Sequence, residues 1–142
     1  MKLFLDANVL IDFMGERVAY YMQAATLFSF AAEHECEIVV SSLSMVTSNY
    51  ICCERGKMPL ALWNNKVNEM NNFVEVGSVD SSDILLSCNA GWKDIEDCVQ
   101  FHVAKRCGCD AIVTRNTGDF VHSDIDVLSP EQAIDRVLET LH

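Results

Sequence analysis

The chain reads as an α/β domain of three layers, α/β/α, around a mainly parallel central sheet. Short apolar or β-branched runs alternate with segments of helical period along all 142 residues. Several runs stop at Asp or Ser, residues that cap the helix expected next. Half of the residues are apolar, enough for one substantial core, and residues 1–142 hold no repeat, linker or low-complexity stretch. A single domain over 1–142 is therefore expected.

The elements follow in order. Lys2 to Leu5 is a short buried strand that stops at Asp6, and Asn8 to Phe13 fits a short helix. Ala19 to Glu35 gives a longer helix, with Tyr20, Ala24, Leu27, Phe28 and Ala31 at helical spacing. Glu37 to Val40 is a β-branched strand running into Ser41 and Ser42, either of which can cap a helix whose apolar positions are Met45, Val46, Tyr50 and Cys53. Gly56-Lys57-Met58-Pro59 breaks that helix, and Pro59 suits the first turn of the next, Leu60 to Asn71. Phe73 to Val76 is a third strand, followed by a helix from Ser81 or Ser82 towards Cys88. Gly91 marks a turn, and Asp94-Ile95-Glu96-Asp97 opens a helix with the apolar stripe Ile95, Cys98, Val99, His102, Val103. Cys109 to Val113 is a strand, Asp126 to Leu128 the last one, and a helix follows Pro130.

Composition removes several function classes. A formal charge of -11 argues against binding nucleic acid through a broad basic face, although a local basic patch helped by bound metal remains compatible. No apolar run approaches the roughly 18 residues of a membrane span, and Met1-Lys2-Leu3-Phe4-Leu5-Asp6 is unlike a secretory signal, so a cytoplasmic protein is expected with no membrane partner. The seven cysteines are odd in number and scattered through apolar segments, which reads as reduced core thiols. Cys107-Gly108-Cys109 has no second pair at zinc-ligand spacing. The absence of a Gly-rich phosphate loop disfavours dinucleotide binding and nucleoside-triphosphate hydrolysis.

Acidic residues stand where strands end or a helix begins: Asp6 in Leu5-Asp6-Ala7-Asn8-Val9-Leu10, Asp97 in Ile95-Glu96-Asp97-Cys98-Val99-Gln100, and Asp119 in Val113-Thr114-Arg115-Asn116-Thr117-Gly118-Asp119-Phe120. Carboxyl ends of parallel strands share one edge, so these carboxylates can converge there and hold a divalent cation. Asp97 lines up with Phe101 and Ala104, which points it along a partly buried face. Asp94 and Glu96 are better explained by the helix macrodipole. His102 reads as a hydrogen-bonded core residue, Asp12 as a surface or turn residue, and Trp63 and Trp92 as packing residues.

In this order along the chain, the three segments resemble the PIN domain family of metal-dependent nucleases, and the likeness runs nearly to Ser129-Pro130. That resemblance implies a ribonuclease, often the toxin of a toxin-antitoxin pair, with Mg²⁺ or Mn²⁺ at the sheet edge. It makes Asp6, Asp97 and Asp119 the catalytic carboxylates and metal ligands. Asn8, Thr114, Arg115 and Asn116 become the substrate-binding residues, with Arg115 the cation for a phosphate. RNA, an antitoxin protein and a second copy of the chain are the implied partners. The family usually places a further acid on the helix after the second strand, and Ser42 to Tyr50 has none; Asn49 is the nearest counterpart, with Ser48 the other. A PIN-like module that binds RNA or a partner without cleaving is accordingly the alternative. A dehalogenase-like phosphatase fails at Asp6-Ala7-Asn8, which lacks its second Asp, and a phosphoryl-accepting receiver fails where Val40 leads into serines.

Overall fold

The computed structural model describes residues 1–142. Its five strands, β1 (Lys2–Leu5), β2 (Glu37–Ser41), β3 (Val74–Gly77), β4 (Ala111–Val113) and β5 (Asp126–Leu128), form one sheet in the order β3-β2-β1-β4-β5. All four pairings are parallel. Seven α-helices cover it: α1 (Ala7–Met14), α2 (Tyr21–Ala32), α3 (Ser42–Asn49), α4 (Leu60–Met70), α5 (Ser81–Asn89), α6 (Ile95–Arg106) and α7 (Pro130–Thr140). The three-layer arrangement expected from the alternation is the one present.

The layers follow from the two-residue period of the strands. Leu3, Leu5, Ile38, Val40, Ala111 and Val113 face one side, where they pack against α1, α2, α4 and α7. Phe4, Val39 and Ile112 face the other and meet Val99, Phe101, Val103 and Ala104 of α6. Both faces are covered, which explains why the interior residues of the central strands are apolar on both sides. Gly77 ends β3 under α6: a Cβ there would lie 2.9 Å from Cys107 Sγ and 3.2 Å from Val103 Cγ1. Gly77→Ala is expected to push α6 off the sheet at a cost of about 1–3 kcal/mol. A thermal melt showing an unchanged midpoint would refute this.

Local capping fixes the helix starts. Asp6, Ser41, Asp94 and Ser129 each accept a backbone N–H at a helix N-terminus, Asp80 with Asp83 and Ser129 with Gln132 form capping boxes, and Pro130 occupies the first turn of α7. Asp94 thus has the structural role expected of it. Pro59 instead precedes α4 in an extended conformation.

The helix after β2 departs most from expectation. After Asn49 it continues as a π-helical segment, Tyr50–Arg55. Val46 is 71% and Tyr50 52% exposed, whereas Ser44 and Ser48 are completely buried. The inward face of α3 is therefore polar. In α6, Ile95 is exposed and His102 is half-buried with Nε2 unpartnered, so His102 lacks the hydrogen bond expected at that atom. The cysteines are all free; burial pushes the thiols of Cys36 and Cys109 up, to about 11 and about 12.

Candidate active site

β1 and β4 are neighbours although more than 100 residues separate them, and the chain leaves their carboxyl ends towards opposite sides of the sheet order. Such a reversal opens a crevice beyond the strand ends. Asp6 stands at its floor, 7% exposed. Its Oδ1 accepts the Ala7 N–H at 2.8 Å and the Gln100 Nε2 at 3.4 Å, and its Oδ2 accepts the Thr114 hydroxyl at 2.8 Å. Asn8 Nδ2 and the Asn116 N–H both donate to Thr114 Oγ1, at 3.2 and 3.1 Å. Asn8 Oδ1 accepts the Arg115 N–H at 3.3 Å. Asn8, Thr114 and the 115–116 backbone are thereby committed to holding Asp6 and the end of β4.

Asp97 and Asp119 line a cleft of about 510 Å³ together with Trp92, Lys93, Asp94 and His122. Trp92 forms its wall, stacked on Phe101 at 5.2 Å and edge-on to Phe120 at 6.1 Å. Burial raises the Asp97 carboxyl, and the negative charges of Asp94, Asp6, Asp119 and Glu96 raise it further, to about 7. Burial also raises Asp6, against the hydrogen bonds from Thr114, Ala7 and Gln100, while Asp119 repels its charge. Glu96 is raised by burial, Asp94 and Asp6. The carboxylates expected to converge do share one electrostatic neighbourhood.

A family comparison decides what kind of fold carries this rim: the model of the PIN domain matches residues 2–118. This chain belongs to the PIN domain family. Ribonuclease VapC1 of Aquifex aeolicus is 26% identical over 140 residues, covering 95% of this chain and 94% of that protein. VapC20 of Mycobacterium tuberculosis, a sarcin-ricin loop cleaving toxin, superposes with a TM-score of 0.60 at 13% identity, over 78% of this chain and 86% of its own. VapBC2 of Rickettsia felis, bound to a DNA fragment from its promoter, gives a TM-score of 0.60 at 16% identity, over 91% and 98%. The last two likenesses concern the fold alone.

Two residues singled out from the PIN resemblance stand elsewhere. Arg115 does not reach into the cleft: its Nε donates to Asp12 Oδ2 at 2.7 Å and its Nη2 to Oδ1 at 3.3 Å, while its guanidinium lies 3.9 Å from the Tyr20 ring centroid. Asp12 is 1% exposed and so is no surface residue. Asn49 lies about 140° round the helix from Ser44, and its amide donates to Cys53 Sγ at 3.8 Å. Of the two buried serines of α3, Ser44 reaches Asp6 through Gln100, while Ser48 donates to the Met45 carbonyl.

Sequence reasoning passed over Gln100, Lys93 and His122. Gln100 is wholly buried and touches Asp6 directly. A polar side chain inside the run Cys98-Val99-Gln100-Phe101, one turn after Asp97, is the signal that marks it. The donor set suits a divalent cation. It consists of hard carboxylate oxygens that repel one another, while Arg115 is taken by Asp12 and no cation contributes to the environment of Asp97. No three acidic, His or Cys side chains close on one point.

Proposed function

We propose that this PIN domain protein is a metal-dependent endoribonuclease that hydrolyses RNA phosphodiester bonds and acts as the toxin of a toxin-antitoxin pair. The observation that carries the reading is the cleft that Asp97 and Asp119 line together, where burial first and then the charges of Asp94, Asp6, Asp119 and Glu96 raise the Asp97 carboxyl to about 7. Such crowding suits a site completed by a cation. The full-length likeness to a ribonuclease and the fold shared with toxin structures support it.

Asp6, Asp97 and Asp119 would hold Mg²⁺ or Mn²⁺, which when bound supplies charge relief on the phosphate and a more acidic water. The chain's own contributions are separable. Thr114 and Ala7 fix the Asp6 carboxylate, Trp92 walls the cleft, and Lys93 and His122 line it. Lys93 forms no ion pair within the protein, so it replaces Arg115 as the cation for substrate phosphate. The Lys93→Ala, His122→Ala double variant is expected to raise KM for RNA about three- to tenfold, the scale of two exposed charge contacts, with kcat nearly unchanged. An unchanged KM would remove both residues from substrate binding.

The reading takes residues 1–142 as one catalytic unit working in the cytoplasm; no helix is long and apolar enough to cross a membrane. With a formal charge of -11, an antitoxin presenting Arg or Lys to the acidic rim is the fitting protein partner, and a homodimer the fitting assembly. The test is titration calorimetry with Mg²⁺ and Mn²⁺ alongside cleavage of a mixed structured RNA. Cleavage that needs the metal supports the proposal. Metal binding without cleavage favours the non-cleaving module, a reading the acid-free inner face of α3 keeps in view. Cleavage that survives chelation refutes the metal-dependent assignment.

A further inference from the structure

We infer that Gln100 is the positioning residue of Asp6, holding it as a one-point ligand and closing the α3 side of the site to a second cation. The inference rests on the metal-dependent reading above. Gln100 is 0% exposed, as are Ser41 and Ser44, so its amide has only protein partners. Oε1 accepts the Ser41 hydroxyl at 2.5 Å, while Nε2 donates to Ser44 Oγ at 2.6 Å and to Asp6 Oδ1 at 3.4 Å. Ser41 is itself fixed, because its Oγ accepts the Ser44 N–H at 3.0 Å as the cap of α3. The amide cannot turn over without pairing acceptor with acceptor at Asp6.

Counting lone pairs on Asp6 gives the consequence. Oδ1 has two acceptor positions, taken by the Ala7 N–H and Gln100 Nε2; Oδ2 has two, one taken by Thr114. One position is left, on the oxygen bonded to Thr114 at the end of β4. A cation lying between Asp6 and α3 would have to occupy the place of the Nε2 amide group, the positive end of a dipole. It would find only the neutral Ser44 and Ser48 on the far side. Towards Asp97 and Asp119, by contrast, the carboxylates repel one another. The free position on Asp6, with Asp97 and Asp119, would hold one ion.

Mn²⁺ is the probe, counted by paramagnetic resonance and titration calorimetry below the melting temperature of each variant. Wild type is expected to bind one Mn²⁺ per chain. Gln100→Leu should still bind one, but about tenfold more weakly, the loss typical of removing a ligand's outer partner. Gln100→Glu, which puts a carboxylate where the amide stood, should bind two. Two ions on wild type, or a folded Gln100→Leu protein with wild-type affinity, would overturn the inference while leaving the nuclease reading intact. No ion on wild type would overturn both. Should Gln100→Leu fail to fold, Ser44→Ala decides: about threefold weaker binding is expected on the same grounds, and unchanged binding overturns the inference.

Discussion

Asp97→Asn is expected to abolish RNA cleavage and, in the same protein, to make the metal-free fold more stable. Outer partners of metal ligands typically contribute ten- to a hundredfold, so loss of a ligand should cost at least about a hundredfold in kcat/KM. The stability gain follows from linkage. The Asp97 carboxyl sits at about 7 in the fold, against 3.8 ordinarily. Its raised value means that the folded state holds the proton more tightly than the unfolded state. Stability from this group is full below pH 3.8, declines as pH rises towards about 7, and stays low above it. Because the side chain is partly exposed, solvent screening reduces the deficit at pH 8 to about 1–2 kcal/mol. Asn has no such charge, so the variant should melt about 3–6 °C higher than metal-free wild type at pH 8 and nearly level with it at pH 4. A divalent cation should close the gap by stabilising wild type alone. Calorimetric scans at both pH values, with and without Mn²⁺, test this; a variant less stable than wild type at pH 8 would show that crowding is not what raises Asp97.

Arg115→Ala is expected to have the largest effect on stability. Its guanidinium is the bidentate partner of Asp12, which is 1% exposed, and the two residues join the end of β4 to α1. Removing it leaves a buried carboxylate without a counter-charge and the Tyr20 face without its cation, a loss of about 3–5 kcal/mol. The melting temperature should fall by roughly 10 °C or more. The paired replacement Asp12→Leu, Arg115→Met should recover most of that, because it removes both desolvated charges together. A residue whose purpose was phosphate contact would behave in the opposite way: Arg115→Ala would melt normally and lose RNA affinity.

The fold was largely legible, because short strands with consecutive apolar residues belong in a sheet covered on both faces, and acidic or hydroxyl caps mark where the next helix starts. Lys2–Leu5, Glu37–Ser41 and Asp126–Leu128 lie within a residue of where their composition placed them. The inner face of α3 was not legible. Met45, Val46, Tyr50 and Cys53 looked like its buried stripe, yet Val46 and Tyr50 are exposed while Ser44, met by Gln100 of a neighbouring helix, and Ser48, bonded to the Met45 carbonyl, are buried. Pattern alone cannot reveal a polar face whose partner lies 56 residues away. Arg115 was misplaced for a related reason. Asp12 was set aside as superficial, although it follows Asn8 by one helical turn and both residues meet the 115 segment. Asp6 and Asp119 could be expected at one edge because parallel strands deliver their carboxyl ends there, and Asp97, in the first turn of α6, lines the same cleft as Asp119.

The central place of β1 also governs when a nascent chain can assemble its acidic site. β1, β2 and β3 can pair as soon as they are made, and Asp6 then stands alone beyond the growing half-sheet. Val113 and Thr114, which bond its backbone and side chain, are synthesised more than 100 residues later, and Asp119 later still. Translation must pass Asp119 before the three acids can meet, so a chain broken off upstream of β4 cannot assemble the site. The order of the strands is thus a built-in delay between making β1 and completing the site.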